Sequence, residues 1–390
     1  MQEGLVLLLV LAAAAGWFIA RRDYQKRLDK LQRPQDLTHQ YYEGLNYLLN
    51  EQQDQAIDVF VRMLEVNSET VEIHLALGNL YRRRGEVDRA IRLHQNLIAR
   101  PTLEPQQREK ALLELGEDYL KAGLLDRAER LFSELAPSKA FAEPSLRSLL
   151  EVYQQEKDWD QAIDTARLYE KRTGKRAGKL IAQFYCELAE QALAAGDRAR
   201  AGRLLRRALS SDSGCVRASV LQGGLEMEKS NYKAAIRAFT HIEDQDADFL
   251  PEVLEPLAEC YHQLGNDKRL VQYLGDIFKR YGGARPAVLL SKELEQQGEP
   301  KQAVDFVADH VRRQPSILGL HRLIELGLAS DHERSREVLA TVREMISNLV
   351  ASRPGYRCTH CGFESKRLFW QCPSCKRWSS IKPFSALPVE

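Results

Sequence analysis

The 390-residue sequence has almost no net charge, since 56 basic and 55 acidic residues leave +1. Without a charge excess there is no global attraction to nucleic acid or to an anionic surface, so any electrostatic specialisation is local. The chain also lacks a phosphate-binding glycine loop, a His-Glu-x-x-His pair and a nucleophile elbow, and its histidines are scattered. His94 occupies a slot that elsewhere in the chain holds Phe60, Phe132 and Phe239. No catalytic constellation results, and an enzyme is not expected. Low-complexity tracts are missing, glycine and proline are at ordinary levels, and the length suffices for a substantial core. A disulfide framework is missing as well. Of seven cysteines, Cys186, Cys215 and Cys260 stand singly in helical segments and read as small buried apolar residues in a reducing compartment.

One stretch lacks charge altogether. Residues 4–20 form an apolar run, roughly 25 Å long at ~1.5 Å per residue, slightly short of a ~30 Å hydrocarbon core. Trp17 and Phe18 lie at its end. Arg21, Arg22, Lys26, Arg27, Lys30 and Arg33 follow, against only Asp23 and Asp29. The positive flank is expected on the cytoplasmic side. A cleaved signal peptide needs positive charge before the apolar run, where this chain has Glu3. Residues 1–20 are therefore expected to be a single-pass transmembrane anchor and 21–36 a basic linker, with the bulk of the chain cytoplasmic.

What the middle of the chain does have is a repeat. "DQAIDVF", "DRAIRLH", "DRAERLF", "DQAIDTA", "ARAGRLL", "KAAIRAF" and "KQAVDFV" place Ala56, Ala90, Ala128, Ala162, Ala201, Ala235 and Ala303 in one frame, and Leu270 fills the same slot. Successive intervals are 34, 38, 34, 39, 34, 35 and 33 residues. Twelve positions upstream stand Gly44, Gly78, Gly116, Ala189, Gly223, Ala258 and Ser291, with Leu150 the exception. Tyr47, Tyr81, Tyr119, Tyr153 and Tyr261 recur three positions later. Small residues let antiparallel helices approach closely, and large apolar ones interlock with the next pair. The pattern resembles the tetratricopeptide repeat. It predicts an all-α superhelix of about eight to nine helix pairs over 37–350, with "RPTLEPQQ" and "KRTGKRAG" as extended turns and a degenerate pair from 317 closing the stack. The first helix of each pair lines the default binding face. Asn79, Arg82 and Arg83 in "GNLYRRRGE" are the candidate partner-binding residues, although a solvated helix end explains them equally well. "EDQDAD", Glu243 to Asp248, lacks calcium-loop spacing and reads as a solvated turn.

The last part, 351–390, carries Cys358, Cys361, Cys372 and Cys375 in two C-x-x-C pairs. Two-residue gaps let each pair reach one ion, and two pairs complete a tetrahedron with no open position. One structural metal is expected: zinc is the default in a reducing cytoplasm, and iron fits because the arrangement resembles both zinc ribbons and rubredoxins. Gly362 follows the first pair, whereas Lys376 follows the second, so the second turn is expected to differ. Phe363, Leu368, Phe369, Trp370, Trp378, Ile381 and Phe384 exceed what so small a module can bury. Phe369, Trp370 and Trp378 are expected to dock it onto the repeats.

Anchor, repeats and the knuckle "YRCTHCGFESKRLFWQCPSCKRW" together resemble the lipopolysaccharide assembly protein B family over the whole chain. The resemblance implies an adaptor at the bacterial inner membrane. It would deliver the lipid A pathway deacetylase to a membrane-bound ATP-dependent zinc protease, in association with a lipopolysaccharide-sensing inner-membrane protein. Homo-oligomerisation stays open. Two other readings are a nucleic-acid-binding ribbon, from Arg353, Arg357, Lys366, Arg367, Lys376, Arg377 and Lys382 against Glu364, and electron transfer with iron in the site. Four thiolates on a divalent ion leave about −2, which much of that basic charge can simply offset, so no nucleic acid is expected.

Overall fold

The recurring alanine marks where helices touch. Ala56, Ala90, Ala128, Ala201, Ala235, Leu270 and Ala303 are all completely buried. The computed structural model describes residues 39–66 apart from 48 and 51, residues 71–328, residues 354–383 and a few isolated positions. Apart from Trp17, the apolar run 4–20 lies outside them, as do most of the linker 21–36, residues 329–342 of the expected closing pair, and Phe384. Among the described residues no helix is long and apolar enough to cross a membrane.

These residues form tetratricopeptide-type helix pairs followed by a small three-stranded ribbon, and they divide into two compact units. Unit 1 comprises residues 1–158 with 171–174, and unit 2 comprises 159–170 with 175–390. Unit 1 pairs Val71–Arg83 with Val87–Ile98 and Pro105–Lys121 with Leu125–Leu135, around a core that includes Phe60, Met63, Ile73 and Leu80. In unit 2 the pairs are Gly178–Ala194 with Arg198–Ser211, Val216–Glu228 with Tyr232–Thr240, Leu250–Gln263 with Asp267–Tyr281, and Ala284–Gln296 with Pro300–Arg313. Helix Ile317–Leu328 follows. The turn inside a pair needs a left-handed residue, because the chain must reverse within about one turn. Gly85, Gly123, Gly196, Gly265 and Gly298 supply it, and Lys157 and Ser230 adopt the same conformation.

The small slot and the large slot of the repeat are two halves of one contact. A Cβ added at Gly44 would lie 2.7 Å from Phe60, and one at Gly116 2.6 Å from Phe132. At Gly78 it would meet His94, and at Gly223 Phe239, more closely still. Where the small slot is larger, the residue sixteen positions on is smaller: Ala189 is followed by Leu205, Ala258 by Leu274 and Ser291 by Val307, all buried. Adjacent glycines give a test. Gly223→Ala forces a methyl group into the buried Phe239 ring and is expected to destabilise by about 1–3 kcal/mol. A methyl group added at Gly224 would have nothing within 4 Å, so Gly224→Ala should stabilise by about 0.5–1 kcal/mol through helix propensity alone. Melting temperatures that shift in the same direction for both variants contradict this packing.

The ribbon is an antiparallel sheet of order β2-β1-β3, with β1 Tyr356–Cys358, β2 Glu364–Ser365 and β3 Ile381–Pro383. β1 pairs Arg357 with Glu364 on one side and with Lys382 on the other. Among its described residues the ribbon's own core is Cys358, Cys372 and Ile381, with Tyr356, Phe363, Leu368 and Phe369 packed around them.

Candidate metal centre and its seat on the repeats

The four cysteines converge. All four Sγ atoms lie within 4.8 Å of one another. Cys358 and Cys375 are 3.8 Å apart and Cys361 and Cys372 3.7 Å. A tetrahedron with metal–sulfur bonds of ~2.3 Å has edges of about 3.8 Å, so these two spacings fit a metal held by four sulfurs. Each knuckle is built the same way. The Cys358 N–H donates to the Phe363 carbonyl and the Gly362 N–H to the Cys358 carbonyl; Cys372 with Arg377, and Lys376 with Cys372, repeat both bonds. The expectation of a different second turn is corrected here, because Gly362 has φ +76° and Lys376 φ +58°. The two-residue gap dictates the turn, and lysine accepts a left-handed conformation that costs about 1–2 kcal/mol. Lys376→Gly is expected to recover about 1 kcal/mol, read as slower metal release to a chelator. Unchanged or faster release counts against a strained knuckle.

Polarity around the sulfurs favours thiolates. Burial alone would raise the Cys358 thiol, but the Ser380 hydroxyl and the backbone N–H groups of Cys361 and His360 outweigh it and bring it down to about 6. The Phe363 N–H lowers Cys361. The Arg377 N–H also favours ionised Cys375, yet burial and the neighbouring thiols carry that residue up to about 11. Four sulfurs this close cannot all ionise without a cation between them, which is the property of a metal site.

Within unit 2 the ribbon is seated on the helices. Trp370 stacks on Phe249, with ring centroids 5.5 Å apart. Trp378 meets Trp159 and Phe184 edge-on at 6.4 and 6.1 Å, and the Arg217 guanidinium lies 5.7 Å from its ring. Phe369 sits differently from its expected docking role. It packs inside the ribbon against Phe363 and under Arg367. Leu368 and Trp370 pack against the repeat helices, whereas Phe369 packs around the ribbon's own core.

Polar contacts complete the seat. The Tyr356 hydroxyl donates to Glu252 at 2.7 Å, and Gln183 donates to Ser379 at 3.1 Å. Lys382 bridges Asp246 at 2.9 Å and Asp248 at 2.7 Å. Burial alone would lower the Lys382 pKa, but the two aspartates raise it. The acidic "EDQDAD" stretch is thus no idle solvated turn: it holds the ribbon. Gln183, Phe184, Arg217 and Glu252 lie on the first helices of their pairs, so the ribbon fills part of the face expected to bind partners. Two of its cations are spent on protein, since Arg357 pairs with Glu364 at 3.1 Å and Lys382 with the aspartates.

The candidate partner residues in unit 1 separate. The Arg82 guanidinium bonds Glu114 and Asp118, each at 2.7 Å, and Asp118, wholly buried, also takes His94 Nδ1 at 2.6 Å. Arg82 therefore clamps one repeat to the next, and His94 does more than fill a phenylalanine slot. Asn79 is half-buried and Arg83 exposed. In unit 2 two of the scattered cysteines meet: Cys186 and Cys215 are buried with sulfurs 3.9 Å apart. The hydrogen bond with Cys215, then burial, push the Cys186 thiol up. Their 29-residue separation falls just short of one repeat, and that is the only sequence signal that could have found them.

Residues 356–383 match the family model described as a rubredoxin metal-binding domain, and residues 73–109 and 186–248 match tetratricopeptide-repeat models. The chain is 39% identical over 388 residues to lipopolysaccharide assembly protein B of Escherichia coli K12, covering 99% of both chains. It is 34% identical over 394 residues to the protein of that name from Haemophilus influenzae, again covering 99% of each. Among solved structures, a tetratricopeptide repeat protein from Parabacteroides merdae aligns over 80% of this chain and 100% of its own, at 14% identity and TM-score 0.31, a likeness too distant to carry an argument.

Proposed function

Because the chain belongs to the lipopolysaccharide assembly protein B family, we propose that it is a membrane-tethered adaptor regulating lipopolysaccharide biosynthesis. On this reading it brings the lipid A pathway deacetylase to a membrane-bound ATP-dependent zinc protease at the bacterial inner membrane, with the lipopolysaccharide-sensing protein as a further partner. The seat of the metal module supports the reading most directly. Four sulfurs leave no position for a substrate, and the module's aromatic and charged surface is engaged with helices of unit 2. Such a centre stiffens a binding scaffold. One structural ion, zinc on this reading, is held by Cys358, Cys361, Cys372 and Cys375.

Tethering does physical work of its own, because confining client and protease to one membrane raises their effective concentration without a new contact. A chain lacking residues 1–20 is expected to keep its helical signal, since the repeats bury their own core, yet to leave the deacetylase as long-lived as in cells without the protein. Normal deacetylase turnover by the truncated chain at native expression contradicts the tethered-adaptor reading.

A further inference from the structure

The ribbon occupies part of the first-helix face of unit 2, and the second helices present a further exposed surface. One of them is unlike the rest of the chain. Helix Arg198–Ser211, RARAGRLLRRALSS, carries five arginines and no acid, in a chain whose net charge is +1. Ala201, Leu204, Leu205 and Ala208 are buried, which fixes the helix rotation and turns the arginines outward. Arg198 pairs with Glu228 at 2.9 Å. Arg200, Arg203, Arg206 and Arg207 are exposed, and among the described residues no carboxylate forms an ion pair with them. Together with Ser210 and a single acid, Asp160, they line a cleft of about 520 Å³.

Like charges three and four positions apart each cost a helix about 0.2–0.5 kcal/mol, and a solvated face ordinarily interleaves acids to avoid this. Arginine also presents a planar fork that grips a carboxylate through two bonds, which lysine cannot do. We infer that the arginine-lined cleft on helix Arg198–Ser211 is the docking site for an extended, carboxylate-rich segment of a partner protein. The cleft has room for a few side chains, and the two-bond fork of arginine matches a carboxylate. The inference rests on the adaptor reading for the need of a partner, but on a surface separate from the tether and the ribbon.

The test uses the full chain and a fluorescein-labelled peptide of alternating Glu and Asp, followed by anisotropy at low salt. Saturable binding is expected, weakened about tenfold or more by Arg203→Gln with Arg206→Gln, since each removes a charge-assisted bond pair. Arg203→Lys with Arg206→Lys should also weaken it, although charge is kept. Arg312→Gln with Arg313→Gln, which changes two exposed arginines elsewhere in the unit, should leave it intact. Equal peptide affinity in the Arg203/Arg206 variants and the native chain overturns the proposal. Arginine-dependent binding of phosphatidylglycerol vesicles or single-stranded DNA in preference to the peptide overturns it too, assigning the cleft to phosphates. The adaptor reading fails separately, in the deacetylase-turnover experiment on the anchor.

Discussion

A chain carrying Cys372→Ser and Cys375→Ser is expected to bind no metal, to lose the ribbon strands and to fail in regulation, while most repeat helices survive. A bound structural zinc contributes on the order of 10–16 kcal/mol to its module. The ribbon has little to set against that loss, because the buried core of its described residues is Cys358, Cys372 and Ile381, and two of those three belong to the four-cysteine cluster. Repeats, by contrast, contact mainly their neighbours, so damage at one end does not unfold the stack. Metal analysis, far-UV circular dichroism and the fluorescence of Trp370 and Trp378 read the three parts separately. Retention of one metal per chain by the double serine variant, or native tryptophan fluorescence without metal, contradicts the assignment.

Asp118→Ala is expected to destabilise unit 1 by about 3–5 kcal/mol, the range found when one partner of a buried charge network is removed. Asp118 is fully buried and engages both Arg82 and His94. Its loss strands the His94 ring, whose other nitrogen already lacks a hydrogen-bond partner among the described residues. Arg82 keeps Glu114, so the network is damaged without being emptied. The neighbouring Arg83→Ala change, at an exposed position, should stay within about 0.5 kcal/mol. Equal melting temperatures for the two variants would falsify the clamp between repeats.

This contrast shows what the sequence could and could not reveal. The repeat was legible because close packing of helices demands a small residue at a fixed spacing, and Gly44, Gly78, Gly116 and Gly223 each face the ring that demands it. The metal ligands were legible because two-residue gaps have little other use. Arg82 and Arg83 look alike in "YRRRG", however, and only the helix rotation decides that one meets Glu114 and Asp118 while the other faces solvent. Phe369 and Trp370 part company too, one packing inside the ribbon against Phe363 and the other stacking on Phe249, although they are neighbours in sequence. The contacts of Lys382 with Asp248, and of Tyr356 with Glu252, span 134 and 104 residues and leave no local pattern to read. Lys376 conceals a glycine-like turn that its residue type gives no hint of.

The proposal that a metal-bound ribbon braces the helices of unit 2 is tested most directly by hydrogen exchange of the full chain before and after metal removal by a chelator. Trp378 on Phe184, Trp370 on Phe249 and Tyr356 on Glu252 predict that removal speeds exchange in the ribbon and also in helices Gly178–Ala194, Val216–Glu228 and Leu250–Gln263, with unit 1 unchanged. Faster exchange confined to residues after 355 would contradict the account and make the ribbon a free appendage.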